Sequence, residues 1–109
     1  MRVEEALALI DARIAELRKL QEETKSALEA LQGLKEDPEM IVPLGAGVFV
    51  KAEWKSAALM DVGSGIVIDR KVEDVEERLQ KRIERIEEEV KKLTEERAKI
   101  LESVKKGGQ

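Results

Sequence analysis

Apolar residues recur along the first third of the chain at alternating spacings of four and three residues. Most of the residues between them are Glu, Lys, Arg or Ala. A repeat of about 3.5 residues is typical of a coiled-coil helix, not of the wider apolar face of a globular helix. The pattern fails after Leu34 and Pro38 follows, so we predict a helix over residues 2–36. Its seam positions are Val3, Leu7, Ile10, Ile14, Leu17, Gln21, Thr24, Leu28 and Leu31.

The same alternation returns in the last third of the chain and predicts a second helix over residues 71–106. Glu and Lys four residues apart surround this seam, and each such pair stabilises an isolated helix by about 0.2–0.5 kcal/mol. Two long helices of similar length predict an antiparallel coiled coil, with Leu31 near Leu79 and both chain ends at one tip. The second seam consists of Val72, Glu76, Leu79, Ile83, Ile86, Val90, Leu93, Arg97, Ile100 and Val104.

The middle of the chain, residues 39–70, contains two Gly-x-Gly sequences, Gly45-Ala46-Gly47 and Gly63-Ser64-Gly65. Each lies between short runs rich in Val, Ile and Leu, which predicts two β-hairpins in tandem. Several of the apolar residues are consecutive, as expected of strands that are covered on both faces. Since four short strands cannot cover themselves, we predict oligomerisation through the hairpins. The candidate interface residues are Val42, Leu44, Val48, Phe49, Val50, Ile66, Val67 and Ile68.

The composition fits this division and excludes several classes of function. Charged residues make up 40% of the 109 residues and aromatic residues 2%, too much charge and too few rings for one compact globule. The absence of His and Cys removes the usual zinc ligands, thiol nucleophiles and disulfides, so we expect no enzyme, no metal and no cofactor. The net charge of −4 argues against nucleic acid as a partner, and no apolar run is long enough for a membrane span. The lack of cysteine fits a reducing cytoplasm.

Three features have competing interpretations. The Gly-x-Gly sequences lack the further residues of phosphate-binding loops, which favours hairpin turns. Glu87-Glu88-Glu89 falls on a heptad helix, which favours a solvated face over a metal or acid–base site. The polar seam residues either fix the register of the coiled coil or loosen it so that the arms can separate. These seam residues are Gln21, Thr24 and Arg97.

Apolar residues also gather where the two arms end together. Leu9 and Leu101 lie off the strict seam, so we expect them to stay partly exposed. Because an apolar patch at the free ends of two arms is typical of an interaction site, we predict binding there. The candidate residues are Val3, Leu7, Leu9, Ile10, Ile100, Leu101 and Val104.

The order of helix, two glycine-bearing hairpins and helix resembles the alpha-class subunit of archaeal prefoldin. The most specific part is Val42-Pro43-Leu44-Gly45-Ala46-Gly47-Val48-Phe49-Val50, with the Gly63-Ser64-Gly65 repeat behind it. The resemblance implies one α+β domain over residues 1–109, in which a long antiparallel coiled coil carries two central hairpins. In that family the hairpins form an oligomeric β-barrel platform. The two helical arms of this chain are shorter than in many relatives.

The same resemblance implies an ATP-independent chaperone that holds non-native proteins at the coiled-coil tips and passes them to a group II chaperonin. It implies a complex of two alpha-class and four beta-class subunits in the cytoplasm. Residues 41–44, 48–54, 59–62 and 66–69 would build the platform. Some alpha-like relatives form filaments instead, so a self-assembling structural subunit is the alternative hypothesis.

Overall fold

The computed structural model describes residues 2–106. Two antiparallel β-hairpins lie between two long helices along the chain, so the predicted α+β fold class is confirmed. The elements in chain order are α1 (Val3–Glu36), β1 (Glu39–Gly45), β2 (Val48–Glu53), β3 (Ala57–Asp61), β4 (Val67–Lys71) and α2 (Val72–Lys106). α1 ends two residues before Pro38, because a proline inside a helix lacks the N–H that the helix needs and clashes with the preceding turn.

The chain divides into two compact units. The first unit combines the α1 residues up to Thr24 with the α2 residues from Lys81 onward. The second unit, Lys25–Gln80, holds the remaining helical turns and both hairpins.

In the first unit α1 and α2 run antiparallel and pack through the predicted seam. Leu17, Ile86 and Val90 form its buried core, and Ile14 and Leu93 pack against them. Ion pairs bridge the helices on both sides of this core. The guanidinium of Arg13 lies 3.3 Å from Glu89, and that of Arg97 lies 2.8 Å from Asp11. These pairings join early residues of α1 to late residues of α2, as an antiparallel arrangement requires.

The seam positions of both helices are buried or half-buried with one exception, Val3, which is 39% exposed. The sequence pattern missed Val75, which is buried beside Val72 and Leu79 in the second unit. Together with the half-buried Glu76, the buried positions here follow the spacing i, i+3, i+4, i+7, which is that of a helix with a broad buried face. The heptad rule describes the long arms better than it describes the first turns of α2.

The two hairpins form separate two-stranded sheets within the second unit. β1 pairs with β2 so that Ile41 lies opposite Lys51, and β3 pairs with β4 so that Met60 lies opposite Ile68. In both turns the two central residues have positive φ, namely Ala46 with Gly47 and Ser64 with Gly65. Positive φ at both positions is the geometry of a type I′ turn, whose twist matches that of the flanking strands. The Gly-x-Gly sequences are therefore hairpin turns, as predicted.

Candidate assembly and client-binding surfaces

The first hairpin has one wholly apolar face. Residues directly opposite each other in an antiparallel pair share a face, and alternate residues of a strand do so too. The register therefore puts the charged residues Glu39, Lys51 and Glu53 on one face, together with Ile41, Pro43 and Phe49. The other face carries only apolar side chains, those of Met40, Val42, Val48, Val50 and Ala52.

The second hairpin repeats this division. Ala58, Met60 and Ile68 share a face whose only charged strand residue is Arg70, at the end near α2. Beyond the strand ends the Val62 N–H donates to the Ile66 carbonyl at 2.9 Å, which extends the pairing toward the turn. The opposite face is mixed, because Leu59 and Val67 share it with Ala57, Asp61, Asp69 and Lys71.

The hairpins leave most of their large apolar side chains open to solvent in the isolated chain. Phe49 is 62% exposed, Ile41 66% and Leu59 73%. All eight residues predicted for oligomerisation are exposed, including Leu44 beside the bulge that interrupts the pairing of β1 with β2. Many exposed large apolar side chains on one element are typical of protein interaction sites.

Ion pairs fix the ends of the helices beside the hairpins. Asp74, in the first turn of α2, accepts hydrogen bonds from Arg70 at 2.9 Å and from Arg78 at 3.4 Å. The hydrogen bond from Arg70 is the main reason that the pKa of Asp74 lies below its usual value. Lys35, in the last turn of α1, donates to Glu76 at 2.9 Å, and this bond raises the pKa of Lys35. Both pairs are partly exposed, so each contributes little to folding on its own.

A polar network interrupts the apolar seam of the first unit. The Gln21 side chain is 2% exposed, and its Nε2 donates to Glu87 at 2.8 Å and to the Ile83 carbonyl at 3.4 Å. Its Oε1 accepts a hydrogen bond from Arg18 at 2.7 Å, and Arg18 also pairs with Glu87 at 2.6 Å. A buried amide with all these partners in place holds one alignment of the two helices, since a heptad shift would break them together.

The other polar seam residues have partners too. The buried Thr24 hydroxyl donates to the Leu20 carbonyl at 2.7 Å, within its own helix. Arg97 is half-buried and donates to Asp11 on the opposite helix at 2.8 Å. The contact of Arg97 crosses between the helices and, like the network of Gln21, favours the interpretation that these polar positions fix the register, whereas the contact of Thr24 stays within α1.

Replacement of Gln21 measures what the polar network contributes to the stability of the seam. Gln21→Ala should lower the free energy of unfolding by about 1–3 kcal/mol, since it leaves the seam under-packed and removes one hydrogen-bond partner each of Glu87 and Arg18. Gln21→Leu should be at least as stable as the unmodified chain, because a leucine restores the apolar seam. Thermal unfolding of both variants measures this difference. A Leu variant less stable than the Ala variant would contradict a seam role for the network.

The predicted tip residues differ widely in exposure. Leu9 is 60% exposed, and Val3 and Leu101 are exposed as well, as expected for Leu9 and Leu101 from their position off the seam. Leu7, Ile100 and Val104 are half-buried. Ile10 is buried in the seam and faces the opposite helix, so it can touch another protein only where the helices separate.

The carboxylate cluster Glu87-Glu88-Glu89 lies at the margin of the coiled coil. Glu87 binds Arg18 and Glu89 binds Arg13, both on α1. Hydrogen bonds to Glu16 and Glu89 raise the pKa of Arg13. Within residues 2–106 we find no group of carboxylates arranged to hold a metal ion. Over the same residues, neither helix has a stretch apolar enough to cross a lipid bilayer.

Comparison with known proteins decides the family. The family model described as prefoldin subunit matches residues 3–107. The chain belongs to the prefoldin family. The match confirms the predicted family resemblance. Prefoldins are a family of chaperones.

Its prefoldin relatives are named alpha subunits. The chain is 33% identical over 84 residues to prefoldin subunit alpha of Methanococcus maripaludis, which covers 75% of this chain and 54% of that protein. It is 36% identical over 85 residues to prefoldin subunit alpha of Archaeoglobus fulgidus, with 73% and 61% covered. The chain thus spans between half and two thirds of the length of these two prefoldins.

A solved prefoldin structure has the same fold. It is the filamentous prefoldin of Methanocaldococcus jannaschii, determined by cryo-electron microscopy, with a TM-score of 0.78 over 95% of this chain and 90% of that one. At 16% sequence identity this similarity concerns the fold alone.

Sequence reasoning identified the exposed hairpin positions but not the division between their faces. Runs such as Val48-Phe49-Val50 look uniformly apolar, so the alternation is hidden. It reappears further along β2, where Lys51 and Glu53 share the face of Phe49, and the cross-strand register adds Ile41 and Pro43 to that face. Ile41 and Leu59 are missing from the eight candidate residues, although the platform ranges implied by the prefoldin resemblance include both.

Proposed function

We propose that this prefoldin is an ATP-independent holdase subunit. Its hairpins assemble with those of other subunits into a β-barrel platform, and the ends of its helices hold non-native proteins. The observation that carries the proposal is the exposure of apolar side chains at two places that the chain itself leaves uncovered. These places are the hairpins and the ends of the helices around Leu9 and Leu101.

The apolar faces of the hairpins support assembly with prefoldin subunits. Burying such a face contributes roughly 25 cal/mol for each Å² removed from water, which favours a closed arrangement in which the faces meet. The partners are beta-class subunits in a complex of two alpha-class and four beta-class chains. Co-expression with a beta-class subunit and native mass measurement tests this composition.

The exposed leucines near the ends of the helices support client binding. An unfolded chain presents apolar side chains, and several weak contacts from several subunits bind it by avidity while each contact stays reversible. The proposal includes release of the client to a group II chaperonin and action in the cytoplasm, the latter supported by the absence of cysteine.

The double variant Leu9→Ser/Leu101→Ser tests client binding. It should require several-fold more protein to suppress aggregation of an unfolded client, because it removes the two exposed leucines near the ends of the helices. Leu20→Ser is the matched control, since Leu20 is also exposed on α1 but lies nearer the middle of the helix. Light scattering of a diluted, chemically unfolded client measures the effect. Equal losses in the control and the double variant, or no loss in either, would contradict tip binding.

A self-assembling filament subunit is the second candidate. The observation in its favour is the fold similarity to a prefoldin described as filamentous. Light scattering of the purified chain discriminates between the two candidates. Open-ended growth with concentration indicates a filament, whereas a small closed oligomer that accepts beta-class subunits indicates the chaperone complex.

A further inference from the structure

A short connection, residues 54–56, joins the two hairpins. β2 ends at Glu53 and β3 begins at Ala57. Across the part of the chain that the structure describes, no strand of one hairpin pairs with a strand of the other. Each hairpin carries an apolar face of its own. The two sheets therefore need another contact if these faces are to keep one arrangement.

Trp54, the only tryptophan in the sequence, binds residues on both sides of this connection. Its backbone N–H donates to the Pro38 carbonyl at 2.8 Å, one step beyond the pair Glu39–Glu53 that ends the first sheet. Its indole Nε1–H donates to the carbonyl of Ala57, the first residue of β3, also at 2.8 Å. One residue thus ties the base of the first hairpin to the start of the second.

The indole lies at the end of the apolar face of the first hairpin. The bond to Pro38 continues the strand pairing, so alternation puts the Trp54 side chain on the same side as Val50 and Ala52. Trp54 is half-buried, whereas all residues from 41 to 51 are exposed. A tryptophan with its ring partly covered and its N–H bonded has both its apolar body and its polar group satisfied.

The backbone of the connection adopts an unfavourable conformation. Ser56 has a φ of 79°, in the left-handed region that residues other than glycine seldom adopt. Such a conformation persists where surrounding contacts impose it. The side chains of Lys55 and Ser56 are exposed, so the constraint comes from the indole bond to Ala57, which closes a turn around them.

We propose that the indole N–H of Trp54 holds the second hairpin in one position relative to the first. This inference rests on the proposed role of the hairpins in assembly, and it names the residue that lets both apolar faces enter the same platform. Without the bond, the two sheets would move independently about residues 55 and 56. That freedom would be lost on assembly, and the lost entropy would weaken the complex.

An isosteric replacement tests the bond without changing the size of the ring. β-(3-Benzothienyl)alanine carries sulfur in place of the indole N–H, and its incorporation for tryptophan alters position 54 alone in this chain. The backbone bond to Pro38 is kept. Trypsin cleavage after the exposed Lys55 should become several-fold faster, because the connection opens more often. Cleavage after Lys92, on α2, should stay unchanged and serves as the internal control.

Ser56→Gly is the matched control within the connection. Glycine adopts positive φ without strain and the indole bond remains, so cleavage after Lys55 should stay close to that of the unmodified chain. No acceleration in the isosteric variant would overturn the inference. Equal acceleration in both variants would overturn it too, because the backbone of the connection and not the indole would then set the arrangement.

Assembly with a separately purified beta-class subunit measures the effect on the platform. The isosteric variant should need several-fold higher concentrations than the unmodified chain or Ser56→Gly to form the complex, as followed by native mass measurement. Faster cleavage together with unchanged assembly would overturn the role of Trp54 in the platform. Failure of the unmodified chain to assemble would overturn the proposed function instead, and the cleavage comparison would still decide whether Trp54 holds the hairpins.

Discussion

Ile68→Asp is expected to dissociate the assembled protein, whereas Val67→Asp beside it should have a much smaller effect. Ile68 lies opposite Met60 on the apolar face of the second hairpin. A carboxylate buried there without a partner costs several kcal/mol, enough to open a small interface. Val67 lies opposite Asp61 on the mixed face, where charged side chains are already present and solvated.

Sedimentation velocity of the two variants, at equal concentration, measures this difference. Both residues are exposed in the isolated chain, so neither variant should lose helix content by circular dichroism. That control separates loss of assembly from loss of folding. An Ile68→Asp variant of unchanged mass, or equal dissociation in both, would show that the apolar face does not form the interior of the assembly.

The two hairpin residues also show what the sequence can predict. Turn chemistry gave the hairpins correctly, since Gly47 and Gly65 occupy positions that need positive φ. Within the apolar run Val67 and Ile68 look alike, and only the alternation along the rest of the strand puts Val67 on the face of Asp69 and Ile68 on that of Arg70. The residues of β3 that complete each face follow from the cross-strand register, which depends on the turn geometry of the hairpin and not on local composition.

More of the coiled coil than of the hairpins could be predicted from the sequence. A heptad pattern depends only on spacing along one helix, so its seam could be predicted almost residue by residue. What spacing cannot supply is the partner of a polar seam residue. Gln21 could be recognised as polar, but its bonds to Arg18 and Glu87 depend on the axial alignment of two helices. Likewise Ile10 belongs to the predicted tip and also to the seam, and the packed helices bury it.

Leu17→Ala is expected to cause the largest loss of stability from any single truncation in the arms. Leu17 is buried against Ile86 and Val90, and removal of such a side chain costs about 2–5 kcal/mol, because the transfer energy is lost and a cavity is left. The matched control is Leu20→Ala, three residues away on the exposed side of α1, which should change stability by no more than about 0.5 kcal/mol. Urea unfolding followed by circular dichroism compares the two variants.

The same two variants also test whether client binding needs the buried core that Leu17 forms with Ile86 and Val90. Leu9 and Leu101 belong to the same compact unit as Leu17, so a loosened core leaves them without a fixed arrangement. Hydrogen exchange of the α1 backbone around Leu17 should become faster in Leu17→Ala and stay unchanged in Leu20→Ala. The mass of the assembly should stay the same in both variants, since the hairpins lie in the other unit. If Leu17→Ala also leaves aggregation suppression intact, client binding does not need a closed arm. If suppression falls together with protection from exchange, the paired helices themselves position the binding groups.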